Sequence, residues 1–131
     1  MHLGQFQLVS LGVVLLWPLT AAAQGLPTRE GDCVKTTISR LEHRLQNGMN
    51  GPFITGSGSA VRFADGGYQV SYDELEAIQR SRVGDVVFVC LMRIPQKCPV
   101  GDVRGRVYTS TNLRTMGSWT MPDAEHACGG A

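Results

Sequence analysis

Ala60-Val61-Arg62-Phe63-Ala64-Asp65-Gly66-Gly67-Tyr68-Gln69-Val70-Ser71-Tyr72 reads as a β-hairpin, and this stretch decides the fold. Two runs of strand-forming residues flank Asp65-Gly66-Gly67, where glycine supplies the positive φ that a tight reversal demands. Val61 and Phe63 share one face of the first run, and Tyr68, Val70 and Tyr72 share a face of the second. Toward the C-terminus, residues 73–79 have room for one helical turn, with Asp73 as N-cap and Glu76 completing a capping box. Gly84-Asp85 marks a turn. Asp85 to Ile94 is the most hydrophobic stretch after the leader, with Val86, Val87, Phe88, Val89, Cys90, Leu91 and Met92 in sequence. Apolar on both faces, it reads as a central strand that Pro95 ends. Gln96 to Gly105 is a Pro/Gly loop. In Arg106 to Leu113, Val107, Thr109 and Thr111 fall on one side of a further strand. Ser118-Trp119-Thr120-Met121 is a short return strand that Pro122 breaks.

Toward the N-terminus the reading divides. In Cys33 to Leu45, Val34, Thr36 and Ile38 alternate with polar residues, as in a strand, yet Val34, Ile38, Leu41 and Leu45 also fall on one helical face. The β-branched run Val34-Lys35-Thr36-Thr37-Ile38 favours the strand. The expectation is an all-β domain: a small antiparallel barrel of the OB or SH3-like kind, or a sandwich, with five to six short strands. The alternative is an α+β fold with a helix at 33–46.

Residues Leu8 to Leu16 are almost wholly apolar, and Ala21-Ala22-Ala23 offers the small-residue pattern that signal peptidase accepts. Residues 1–23 therefore read as a signal peptide, and 24–131 as a single domain with no membrane span after cleavage. Cys33, Cys90, Cys98 and Cys128 remain, an even count that in a short exported chain reads as two disulfides. The favoured pairing is Cys90–Cys98, across a reversal at Ile94-Pro95, and Cys33–Cys128, tying the ends together. The protein is then secreted or periplasmic.

Twelve basic and eleven acidic residues give a net charge of +1, which excludes a strongly basic nucleic-acid binder as the default. Charge is nevertheless uneven. Arg80, Arg82, Arg93, Lys97, Arg104, Arg106 and Arg114 face only Asp85 and Asp102 within residues 80–114. Arg80, Arg82, Arg93, Arg104, Arg106, Tyr108, Arg114 and Trp119 are the candidate binding residues, because guanidinium forks match carboxylate, phosphate or sulfate groups and the two aromatics lie close by in sequence. Asp123, Glu125, His126 and Cys128 lie within six residues, but an oxidised Cys128 is neither nucleophile nor ligand. No cofactor or metal motif is present in the sequence.

Gly56-Ser57-Gly58-Ser59-Ala60-Val61-Arg62-Phe63 resembles the Ser-Gly loop of the periplasmic inhibitors of chicken-type lysozyme, small exported β-barrels stapled by a disulfide. The resemblance covers about eight residues and implies a loop that enters a lysozyme cleft. The second, Tyr/Trp-Lys-Gly part of that pattern is absent here, and Trp119 lies in Gly-Ser-Trp-Thr-Met. The sequence thus points to an exported non-catalytic module that binds a protein or glycan partner. The alternatives are a lysozyme-inhibitor-like protein and a small hydrolase or metal-dependent enzyme using His43 or His126 with nearby carboxylates.

Overall fold

A computed structural model describes residues 25–130 of the chain; the expected signal peptide lies outside the described residues. Among the described residues the strands are β1 (Cys33–His43), β2 (Ser59–Phe63), β3 (Tyr68–Ser71), β4 (Val86–Arg93), β5 (Val107–Asn112) and β6 (Ser118–Pro122), with one short helix, α1 (Glu76–Gln79). All strand pairs are antiparallel, in the order β3-β2-β1-β4-β5-β6. The fold is nearly all-β, a six-stranded sheet curled into a half-barrel.

The β1 strand produces the curl. Its first half pairs with β4, from Cys33 opposite Cys90 to Thr37 opposite Val86. Its second half pairs with β2, from Ile38 opposite Phe63 to His43 opposite Ser59. The register shifts between Ile38 and Arg40, a bulge that bends the strand and changes which parity faces inward. Val34 and Ile38 pack into the core before the bulge, and Leu41 packs into it afterwards. The helical alternative for residues 33–46 is thus replaced by a bulged strand.

The hairpin forms as the glycines require. Gly66 adopts φ +89°, and Asp65 Oδ1 accepts the Gly67 N–H at 3.0 Å. Gly67 serves a different purpose, since a methyl there would come within 2.7 Å of the Leu26 side chain. The α1 turn lacks the expected Asp73 cap: Leu75 occupies the N-cap position, and its N–H donates to Ser59 Oγ of β2 at 3.0 Å.

Val87, Val89 and Leu91 of β4 are fully buried among Ile38, Val61, Phe63, Tyr108, Trp119 and Met121. Among the described residues, nothing covers the opposite face of β4, where Val86, Phe88 and Met92 are exposed. The central position of β4 is therefore correct, whereas burial of both faces is not. On β5 the inward residues are Tyr108, Ser110 and Asn112, while Thr109 and Thr111 face outward and bond to Thr120 and Ser118 of β6.

The fully buried Gln69 of β3 closes the open side of the curl. Its amide nitrogen donates to the carbonyls of Tyr108 and Met121, at 2.8 and 3.1 Å. Its oxygen accepts from Ser110 Oγ at 2.6 Å and from Trp119 Nε1 at 2.9 Å.

The disulfides join Cys33 to Cys90 and Cys98 to Cys128, which overturns the expected Cys90–Cys98 and Cys33–Cys128 pairing. Ile94-Pro95 does not fold β4 back on itself. Cys90 lies within β4 directly opposite Cys33 on β1. Cys98 begins a loop that is laced to the C-terminal tail. Cys128 N–H donates to the Arg104 carbonyl at 3.1 Å, Gly129 N–H to Asp102 at 2.9 Å, and Gly105 N–H to Asp123 at 2.7 Å.

Candidate functional site

At one end of the half-barrel, β1, β2, the loop before β2 and α1 surround a cleft of about 280 Å³. Strand alternation after the bulge turns Leu41 and His43 of β1 inward, and Ser59 stands opposite His43 on β2. Phe53 is held from the preceding loop by its bridge to Gln46, and Ile78 and Gln79 enter from α1. Glu74, just before the helix, provides the carboxylate. His43 Nδ1 lies 2.9 Å from Glu74 Oε1, which also accepts the Gly56 N–H at 2.7 Å. Gln79 Nε2 donates to Glu74 Oε2 at 3.3 Å. The imidazole is therefore oriented through Nδ1, leaving Nε2 as the nitrogen open to a ligand. Apolar walls with a few convergent polar groups are the usual composition of a ligand site. A second recess of about 290 Å³ lies beside the hairpin turn, between Leu26, Gly66, Gly67, Tyr68, Asp65 and Asp123. Turn backbone and two carboxylates dominate its lining, so apolar burial there is smaller.

The candidate arginines do not converge. Arg80, Arg82 and Arg114 gather around the start of β4, whereas Arg93, Arg104 and Arg106 lie at its far end or beyond, about 25 Å away along an eight-residue strand. Several are held within the fold. Arg114 grips Asp85 with Nε at 2.7 Å and Nη2 at 2.9 Å, and Asp85 also accepts from Asn112 Nδ2 and the Arg82 N–H, each at 2.8 Å. The Arg114 bonds hold the Asp85 carboxyl well below the usual carboxylate range, and in the same way Arg104 depresses Asp102. Arg80 pairs with Glu76 on α1. Tyr108 and Trp119 are buried core residues: the Tyr108 hydroxyl donates to the Pro27 carbonyl, burial raises its pKa, and Trp119 bonds to Gln69. Neither is available on the surface to stack against a ligand.

Of the two histidines in the described residues, His43 has a carboxylate partner, whereas His126 is exposed in the tail and forms no ion pair among the described residues. Glu74, Phe53, Ile78 and Gln79 carried no sequence signal. Only their separate strand or turn context was readable, and the chain must fold to bring Glu74 to His43. The residues thus define a small disulfide-stapled half-barrel with one cleft organised around a carboxylate-fixed histidine. Comparison with protein-family models, with characterised proteins and with solved structures finds no match to this chain. Among the described residues, no helix is long and apolar enough to cross a membrane, and no group of three or more metal-ligating side chains is assembled.

Proposed function

We propose that the protein is an exported, non-catalytic binding module that takes a protein or glycan partner at the cleft between β1 and α1. The observation that carries this reading is the pairing of apolar walls, Leu41, Phe53 and Ile78, with an imidazole fixed by Glu74. Export is supported by the apolar run Leu8–Leu16, the Ala21-Ala22-Ala23 site and two disulfides, which persist in oxidising compartments. The test uses immobilised mature protein exposed to envelope extracts and to a glycan array. A partner should be retained by the wild type and by Phe88→Ala on the convex face, and lost with Phe53→Ala. Equal retention by Phe53→Ala, or turnover of a substrate with no retained partner, would overturn the reading.

A second reading has one observation in its favour: Ser59, His43 and Glu74 line the same cleft, the residue types of a hydrolase relay. Against it, Ser59 is buried and its Oγ already accepts the Leu75 N–H. Labelling of Ser59 by a fluorophosphonate, lost in His43→Ala, would establish it. Unlabelled Ser59 together with no ester turnover would remove it. The lysozyme-inhibitor reading is not supported by the local geometry. Ser57 Oγ donates to the Ile54 carbonyl and accepts the Leu45 N–H, so the loop's hydroxyls are engaged within the fold.

A further inference from the structure

Resting on the reading of the β1–α1 cleft as the ligand site, we propose that the group it takes is a primary ammonium on an apolar stem, presented as a lysine side chain of a protein partner. The walls suit the stem, because Leu41, Phe53 and Ile78 are aliphatic or aromatic and Phe53 offers a ring to which an ammonium is attracted. The carboxylate suits the head. Glu74 Oε1 is engaged by Gly56 N–H and His43 Nδ1, whereas among the described residues Oε2 has only the 3.3 Å contact from Gln79. An ionised carboxylate accepts several donors, so Oε2 retains capacity for a shorter, charge-assisted bond.

The charge balance points the same way. Among the described residues, no arginine or lysine lines the cleft. The second lining carboxylate, Glu42, is already matched by Arg40 at 2.7 Å and Arg62 at 3.4 Å. Among the described residues, Glu74 is therefore the lining carboxylate that no arginine or lysine pairs, its one ion-pair partner being His43. An anionic ligand would meet repulsion there, and a neutral hydroxyl would gain a weaker bond. A guanidinium is less well matched than an ammonium, since its fork needs two free carboxylate oxygens and Oε1 is occupied. A volume of about 280 Å³ has room for one long side chain rather than for several sugar rings.

The experiment is an NMR titration of the isotope-labelled mature protein with four probes: N-acetyl-lysine-N-methylamide, its Nε-acetylated form, N-acetyl-arginine-N-methylamide and glucosamine. The lysine derivative should shift the amides of His43, Phe53 and Gln79 saturably. The Nε-acetylated form should bind roughly tenfold more weakly, the size of one lost charge-assisted bond. Glu74→Gln should weaken lysine binding by a similar factor, while its amide oxygen still accepts the Gly56 N–H. Equal binding of the Nε-acetylated form would overturn the ammonium assignment yet leave the cleft as a ligand site. Tighter binding of glucosamine or of the arginine derivative would overturn the lysine assignment. No probe shifting cleft residues would overturn it too, and the reading of the cleft would then stand or fall on the Phe53→Ala retention experiment. Should Glu74→Gln lose its native spectrum, the four-probe series on the wild type decides alone.

Discussion

Gln69 is a polar side chain at the centre of an apolar interior, and all its hydrogen-bonding groups point at named partners. Leucine has similar volume but would leave the Ser110 hydroxyl, the Trp119 N–H and two carbonyls without this partner. At about 1–3 kcal/mol for each of the two stranded side-chain groups, the Ser110 hydroxyl and the Trp119 N–H, Gln69→Leu should lower stability by about 2–6 kcal/mol, read as a reduced urea midpoint with little change in slope. Alternation alone placed Tyr68 and Val70 on a common face, but it could not say that Gln69 would be the inward residue of that strand. A glutamine between two apolar neighbours reads as the solvent side, and only the approach of β3 to β5 and β6 reverses this. Glu74 was hidden for a related reason: 31 positions separate it from His43, and no local pattern records that approach. The arginine segment misled in the opposite sense. Its residues are close in sequence and lie at both ends of β4, with Arg114 and Arg104 held by carboxylates.

Among the elements, β1 shows why the choice between helix and strand was finely balanced. Inward residues at 34, 38 and 41 have helical spacing, yet they arise from a strand whose parity changes at the bulge. Deleting Ser39 should remove that change and turn Leu41 and His43 outward. The expected outcome is loss of a folded spectrum or recovery of the variant only in aggregates; a native-like spectrum with His43 still protected would refute the bulge's role. The hairpin, by contrast, was fully legible, because Asp65 and Gly66 impose it locally. The disulfides were legible in number and not in partner, since pairing depends on the sheet order. In the chain-entropy account, closing a 30-residue separation between Cys98 and Cys128 contributes about 3–4 kcal/mol. Replacing both by serine should lower stability by about that amount and expose residues 123–130 to proteolysis. A tail still resistant to protease would mean that the Asp102 and Arg104 bonds hold it unaided. Peptide mapping of a non-reduced digest should recover Cys33 linked to Cys90 and Cys98 linked to Cys128.

For the whole molecule, the all-β class followed from hairpin chemistry and short strand spacing, whereas the curl required contacts between the first and last strands of the sheet. Its acid response follows from carboxylates at opposite ends of β4–β5. Asp85 and Asp102 have folded-state pKa values below the ordinary aspartate value, so they stabilise the fold above it and lose that contribution as pH falls through about 4 and below. Asp123 has the opposite sign: burial raises its pKa, and protonation there favours the folded state. The two depressed groups together predict a stability that declines as pH falls below about 4, with Asp123 acting in the opposite sense above that value. Urea midpoints measured across that range check it, and Asp85→Asn with Asp102→Asn should flatten the decline.

The Gln69 contacts also bear on how the protein behaves in a crowd. An open six-stranded sheet would present two unpaired rims, each a template on which another chain could add a strand. Gln69 helps draw β3 against β5 and β6, so the two rims of the sheet are brought toward each other. A molecule with that clasp released would remain mostly folded and yet become adhesive, so its concentration, rather than its temperature, would set how long it survives in solution.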